Sequence, residues 1–88
     1  TTTAVDVTSA ITEINATSAT HTCAMADGSD GQIKIIINTS TSGTNNVVIT
    51  PANFSHTTIT LNAPGESAVC IFKNSKWYVI GGHEPAIA

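Results

Sequence analysis

The sequence predicts a small all-β fold, an antiparallel β-sandwich or β-barrel of about seven short strands. Three observations lead there. Thr and Ser supply about a quarter of the 88 residues and charged residues only 10%; β-branched Thr suits a pleated, half-solvated surface and loses freedom in a helix. Apolar and polar residues alternate over short runs, punctuated at close spacing by Gly, Pro, Asn and Asp. No stretch carries a helical period of useful length.

Residues 4–14, Ala-Val-Asp-Val-Thr-Ser-Ala-Ile-Thr-Glu-Ile, read as one strand broken by a bulge, because Val5 and Val7 share a face and the register is lost around Ser9 to Ile11. From Ala19 to Met25 the alternation is cleaner, with Ala19, His21, Cys23 and Met25 on one side. Asp27-Gly28-Ser29-Asp30-Gly31 is a turn, since Gly tolerates positive φ and Asp bonds its own following backbone. Gln32 to Asn38 is the clearest strand, and the polar stretch Thr39 to Asn46 reads as a hairpin loop leading into a strand from Val47 to Thr50. Pro51 closes that strand because it cannot donate to a ladder.

Thr57 to Asn62 is the next strand, with Thr57, Ile59 and Leu61 on one face. In Ala63-Pro64-Gly65-Glu66, Pro presets φ and Gly supplies the positive φ of a type II turn. Ser67 to Phe72 and Trp77 to Ile80 then form a hairpin joined by Lys73-Asn74-Ser75-Lys76. Residues 1–4 and 81–88 are expected as extended termini of a single domain spanning 1–88.

The composition bounds the partners. The formal charge is −3, no Arg is present, and the basic residues are Lys34, Lys73 and Lys76. Release of counterions from phosphates needs clustered Lys or Arg, so neither nucleic acid nor an acidic membrane surface is expected as a partner. No run approaches the roughly 20 apolar residues of a membrane span, and no basic-then-apolar segment opens the sequence. Cys23 and Cys70 each lie in an expected strand and read as small buried hydrophobes, with an inter-strand bridge as the alternative.

Several strands are apolar on both faces. Ile33, Ile35 and Ile37 point one way while Ile36 shares the other face with Lys34; Val69 and Ile71 oppose Cys70 and Phe72; Trp77 and Val79 oppose Tyr78 and Ile80. A strand covered on one side should alternate apolar with polar. A domain this small has one core, so the second face needs an overlying loop, the tail or another subunit. Symmetric association is the expected solution, through Ile36, Cys70, Phe72, Trp77, Tyr78 and Ile80.

No catalytic or metal-binding residues and no cofactor are expected. The Asp27 to Gly31 segment has the composition of a calcium loop without the further ligands or the terminal bidentate Glu. His21, His56 and His83 lack zinc-type spacing. No Ser lies in a nucleophile-elbow context, the carboxylates are scattered, and the Asn-x-Ser/Thr matches are those expected by chance in a Thr-rich chain.

From Met25 to Ile80 the sequence resembles a small all-β module of tailed-phage structural proteins, especially marine ones. The resemblance lies in Ala26-Asp27-Gly28-Ser29-Asp30-Gly31-Gln32-Ile33-Lys34, Asn46-Val47-Val48-Ile49-Thr50-Pro51-Ala52-Asn53, Ile59-Thr60-Leu61-Asn62-Ala63-Pro64-Gly65-Glu66-Ser67 and Lys76-Trp77-Tyr78-Val79-Ile80, in that order and spacing. It implies a virion surface part: a head decoration or cement protein, a head fibre or a tail-fibre end. The resulting expectation is a non-enzymatic decoration protein on the capsid surface, assembled in the host cytoplasm. Its expected partners are itself, as a homotrimer, and the major capsid protein or another virion protein. Residues 1–24 lie outside the match and would attach to a capsid lattice or enter a stalk. Two alternatives are a fibre-tip module that contacts a host-surface glycan through Trp or Tyr, and a cellular lectin or adhesin with a Cys23 to Cys70 bridge.

Overall fold

The computed structural model describes residues 2–88, with side chains from Ala4 onward. The described residues form nine strands and no helix: β1 (Thr2–Val5), β2 (Ile11–Ile14), β3 (Thr20–Met25), β4 (Ile33–Asn38), β5 (Asn46–Pro51), β6 (Ile59–Leu61), β7 (Ser67–Lys73), β8 (Lys76–His83) and β9 (Ala86–Ile87). They make two facing sheets, a first of order β1-β3-β5-β6-β9 and a second of order β2-β4-β7-β8. The architecture is the expected small β-sandwich, without a closed barrel.

Neither sheet is wholly antiparallel, which corrects the expected topology. The chain changes sheet at each of its first four bends, so β1, β3 and β5 run parallel in the first sheet and β2 and β4 run parallel in the second. Partners lie a full circuit apart: Thr2 with Thr22, Cys23 with Ile49, Ile11 with Ile35. Antiparallel neighbours can share a tight turn, whereas parallel ones need a long crossover, here a strand of the opposite sheet. From β6 onward the pairing is antiparallel: β5 with β6, β6 with β9, β4 with β7 and β7 with β8.

This topology corrects two local readings. The lost register in residues 4–14 marks a change of sheet rather than a bulge within one strand. Asp6 Oδ1 accepts from Thr8 N at 2.7 Å and from Thr8 Oγ1 at 2.6 Å, and this turn sends the chain from β1 across to β2. The segment Thr39 to Asn46 is likewise not a hairpin loop: it leaves β4 in the second sheet and delivers β5 to the first.

The expected turns at the other end are present. Gly65 has φ 90° between β6 and β7, as a type II turn requires. Asn74 and Ser75 have φ of 54° and 67° between the paired Lys73 and Lys76, the signature of a two-residue type I′ hairpin. Both chain ends join the sheets. Residues 2–5 form β1, and the tail extends β8 to His83, then crosses to the first sheet where Ile87 pairs with Ile59. Residue 1 lies outside the described residues.

One core fills the space between the sheets. Cys23, Met25, Val47, Ile49, Ile59 and Leu61 reach in from the first sheet and Ile36, Ala68, Cys70, Phe72 and Trp77 from the second, all at most 6% exposed. Phe72 and Trp77 meet edge to face, with centroids 5.2 Å apart. Trp77 Nε1 donates to Ala26 O at 2.9 Å, so the ring is buried without stranding its polar atom.

Polar side chains close the core at each end of the central strand β4. Lys34 is fully buried, its Nζ donating to Ser9 O at 2.8 Å and lying 3.1 Å from Ser9 Oγ. Asn38 is also fully buried; its Nδ2 donates to Leu61 O at 3.0 Å and its Oδ1 accepts from Ser40 N at 3.0 Å. Ser40 Oγ in turn accepts from Ala16 N at 2.9 Å. These bonds satisfy groups whose burial would otherwise cost about 1–3 kcal/mol each, and more for the Lys34 ammonium.

Candidate association surface

Because side chains alternate along a strand, burying Lys34, Ile36 and Asn38 sends Ile33, Ile35 and Ile37 outward. The paired registers extend that choice across the second sheet. One row places Ile33 beside Ile71 and Ile71 beside Tyr78; the next places Ile11 beside Ile35, Ile35 beside Val69 and Val69 beside Gly81. Ile11 is 54% exposed and Ile33 49%, while Ile35, Ile71, Val69 and Tyr78 are half-buried by one another. Ile80 is 57% exposed at the irregularity between Val69 and Cys70. Charge borders this surface: Glu13 pairs with Ile37 on one side, and Lys73 with Lys76 at the hairpin tip.

Of the six residues expected to associate, four are interior, and this is a correction. Ile36, Cys70 and Trp77 are fully buried and Phe72 is 6% exposed, so they face the first sheet. Tyr78 and Ile80 do stand outside. The alternation located two apolar faces, and the face of β4 and β7 assigned to association is the one that turns inward. What decides it is polar bonding: Lys34 and Asn38 find partners in the bends that cap the sandwich, while Ile33 and Ile35 need none.

The other candidate groups are spread over the molecule. Asp27 accepts from Asn53 Nδ2 at 2.9 and 2.8 Å, and Asp30 pairs with Lys73 at 2.8 Å, so each carboxylate of the acidic loop is tied to a different neighbour. The hydrogen bond from Lys73, with a second from Asn74 N, holds the Asp30 carboxyl below its usual range. His83 lies 3.5 Å from Glu84 with both exposed, and His56 sits beside Ser55. His21 points inward from β3, 7% exposed, and neither ring nitrogen has a hydrogen-bond partner among the described residues. Among the described residues no three His, Cys, Asp or Glu cluster as metal ligands, and none line a pocket.

Cys23 and Cys70 are unbridged, buried thiols. Burial raises both, Cys70 to about 11, which makes them poor nucleophiles at neutral pH. Lys34 is pushed the other way: desolvation lowers its pKa, partly offset by the Asp6 charge. The buried ammonium was missed as a structural element because its spacing is that of any exposed strand lysine; only the carbonyl and hydroxyl of Ser9 in the 6–10 bend reveal its place.

Comparison with family models, with curated proteins and with solved structures found no match.

Proposed function

We propose that this chain is a non-enzymatic structural module of a tailed-phage virion, a capsid decoration or cement protein that associates as a homotrimer. The observation that carries the assembly part is the outer face of the second sheet, where Ile11, Ile33, Ile35, Val69, Ile71 and Tyr78 adjoin without an intervening charge. Contiguous exposed apolar patches mark interaction surfaces, and at roughly 25 cal/mol per Å² a few hundred Å² supplies several kcal/mol before association costs. The virion setting rests on the sequence resemblance, and the first sheet's Thr-rich outer face suits a particle exterior.

The test is in two steps. Light scattering across a dilution series should give a trimer mass for the chain and a monomer mass for Ile71→Lys. The protein should then bind and stabilise its matching capsid, with the variant doing so less; a chain that neither binds nor stabilises that capsid sinks the proposal. The glycan-binding alternative loses Trp77, whose ring is interior, and retains only Tyr78. Glycan-array binding that Tyr78→Ala abolishes would move the assignment to it.

A further inference from the structure

The first five strands wind around the core as a stack of rungs. Residues 2–19 make one rung (β1, bend, β2, bend), residues 20–45 the next, and β5 opens a third. Like bends lie on like bends. Thr39 N donates to Ile14 O at 2.9 Å, Asn45 Nδ2 to Ala16 O at 2.8 Å and Asn46 N to Ala19 O at 3.0 Å, joining bend 15–19 to bend 39–45 and its exit. At the opposite end Ile35 N donates to Ala10 O at 2.8 Å and the Gln32 side-chain amide donates to Val7 O.

The two ends of this stack differ. On one, antiparallel strands finish it: β6 and β9 cover β5, and β7 and β8 cover β4. On the other, β1 and β2, consecutive strands of a single rung, are the terminal strands of both sheets and have one neighbour each. In a parallel ladder alternate residues direct their N–H and C=O groups to either side, so each of these edges keeps half of its backbone groups for a further partner.

We infer that the paired β1/β2 edge is the docking site for one more parallel rung, a strand-bend-strand segment belonging to a β-coil that this module terminates. The partner is identified by what the edge requires. A lone strand completes one sheet and leaves the other edge open. A second copy related by a twofold axis would lay antiparallel strands on this edge, β1 on β1 or β1 on β2, and would not continue the parallel ladder. A further rung satisfies both edges and continues the like-on-like bend contacts already present between the first two rungs. The inference concerns an edge, not the apolar face, and stands independently of the proposed trimer.

The test places a second copy of residues 1–20 directly before Thr1 of the full chain, matching the 20-residue offset between Thr2 and Thr22. Amide exchange in β1 and β2 should slow by about tenfold or more, as expected when an edge strand becomes internal, and the thermal midpoint should rise. Replacing Val5 and Ile14 with Asp in the added copy alone should abolish both effects. A folded chain whose β1 and β2 amides exchange as in the parent, with the added segment open to protease, overturns the inference. Should the lengthened chain not fold, the labelled parent is titrated with a peptide of residues 1–20, and absence of protection at millimolar peptide overturns it as well. Protection of β1 that depends on the concentration of the parent alone would show that a second copy takes the edge, and also overturns it.

Discussion

Across the middle of the first sheet, Thr22, Val48, Thr60 and Ala86 stand side by side on the outer face; across the second, Ile11, Ile35 and Val69 do. Both faces are made by the same alternation and both sheets bury their other side in one core. The first is the ordinary solvated face of a sandwich, polar and small. The second has the composition of a strand covered on both sides. The described residues place no third layer over it, so the difference between the two faces separates what the fold needs from what it leaves for a neighbour.

The sharpest way to break this comparison is to replace adjacent residues of one strand. Trp77→Ala should cost about 3–5 kcal/mol in urea unfolding, because the ring is fully buried. Tyr78→Ala, one residue on and half-exposed, should cost about 1 kcal/mol or less to the monomer while weakening association. Equal losses at the two positions would mean that the outer face is as integral as the core.

Alkaline titration probes the buried side of the same sheet. Cys70 titrates near 11 in the folded chain against an ordinary value of 9.0, so between those limits the unfolded chain loses its proton first and stability falls as pH rises. The window corresponds to about 3 kcal/mol. Lys34, lowered in the fold by desolvation, has the opposite sign: the unfolded chain keeps its proton to higher pH, so stability gains as pH rises through the depressed folded value toward 10.5. Urea midpoints from pH 8 to 11 should therefore fall less steeply for Cys70→Ala than for the parent; parallel curves would place Cys70 outside the core.

Gly82 tests the pairing of β7 with β8 inside the second sheet. It has φ 132°, and a Cβ there would collide with the Ser67 carbonyl oxygen, so Gly82→Ala should destabilise by about 1–3 kcal/mol in the same assay. Two smaller effects complete the series. Ile71→Lys should change monomer stability by less than about 1 kcal/mol yet shift the scattering mass, while Thr22→Lys on the first sheet should shift neither. His21→Leu should be neutral or stabilising by about 1 kcal/mol in thermal unfolding, since it removes two buried nitrogens without partners among the described residues.

The sequence carried the local features well and the global ones poorly. Pro64-Gly65 and the Lys73 to Lys76 turn were legible because their geometry depends on residues inside the turn. Ile33 to Asn38 was legible as a strand, but its inward face was not, since Lys34 and Asn38 are accepted into the core through bonds to Ser9 and Leu61, supplied by distant segments of the chain, and to Ser40 in the bend that follows. The parallel circuits were illegible for a related reason. A polar loop with Gly43 and Asn45-Asn46 looks the same whether it turns back beside its own strand or crosses to the facing sheet. The apolar outer face was foreseen as a need for cover; its residues were misplaced by one position along β4 and β7, and Trp77 of β8 was wrongly included among them.

The circuit topology also dictates an order of assembly. Among the described residues only β5 with β6 and β7 with β8 are joined to their ladder partners by the intervening loop alone, and the second of these uses a two-residue turn. Every other pairing must wait for a segment far along the chain, and such distant closures are slow. The C-terminal hairpin is therefore the natural nucleus, and the strands synthesised first are the last to find their places. On a ribosome, β1 and β3 would wait for the pair of β5 and β6, and β2 and β4 for β7 and β8, so truncation products that end before these strands expose unpaired apolar segments and are the species most prone to aggregate.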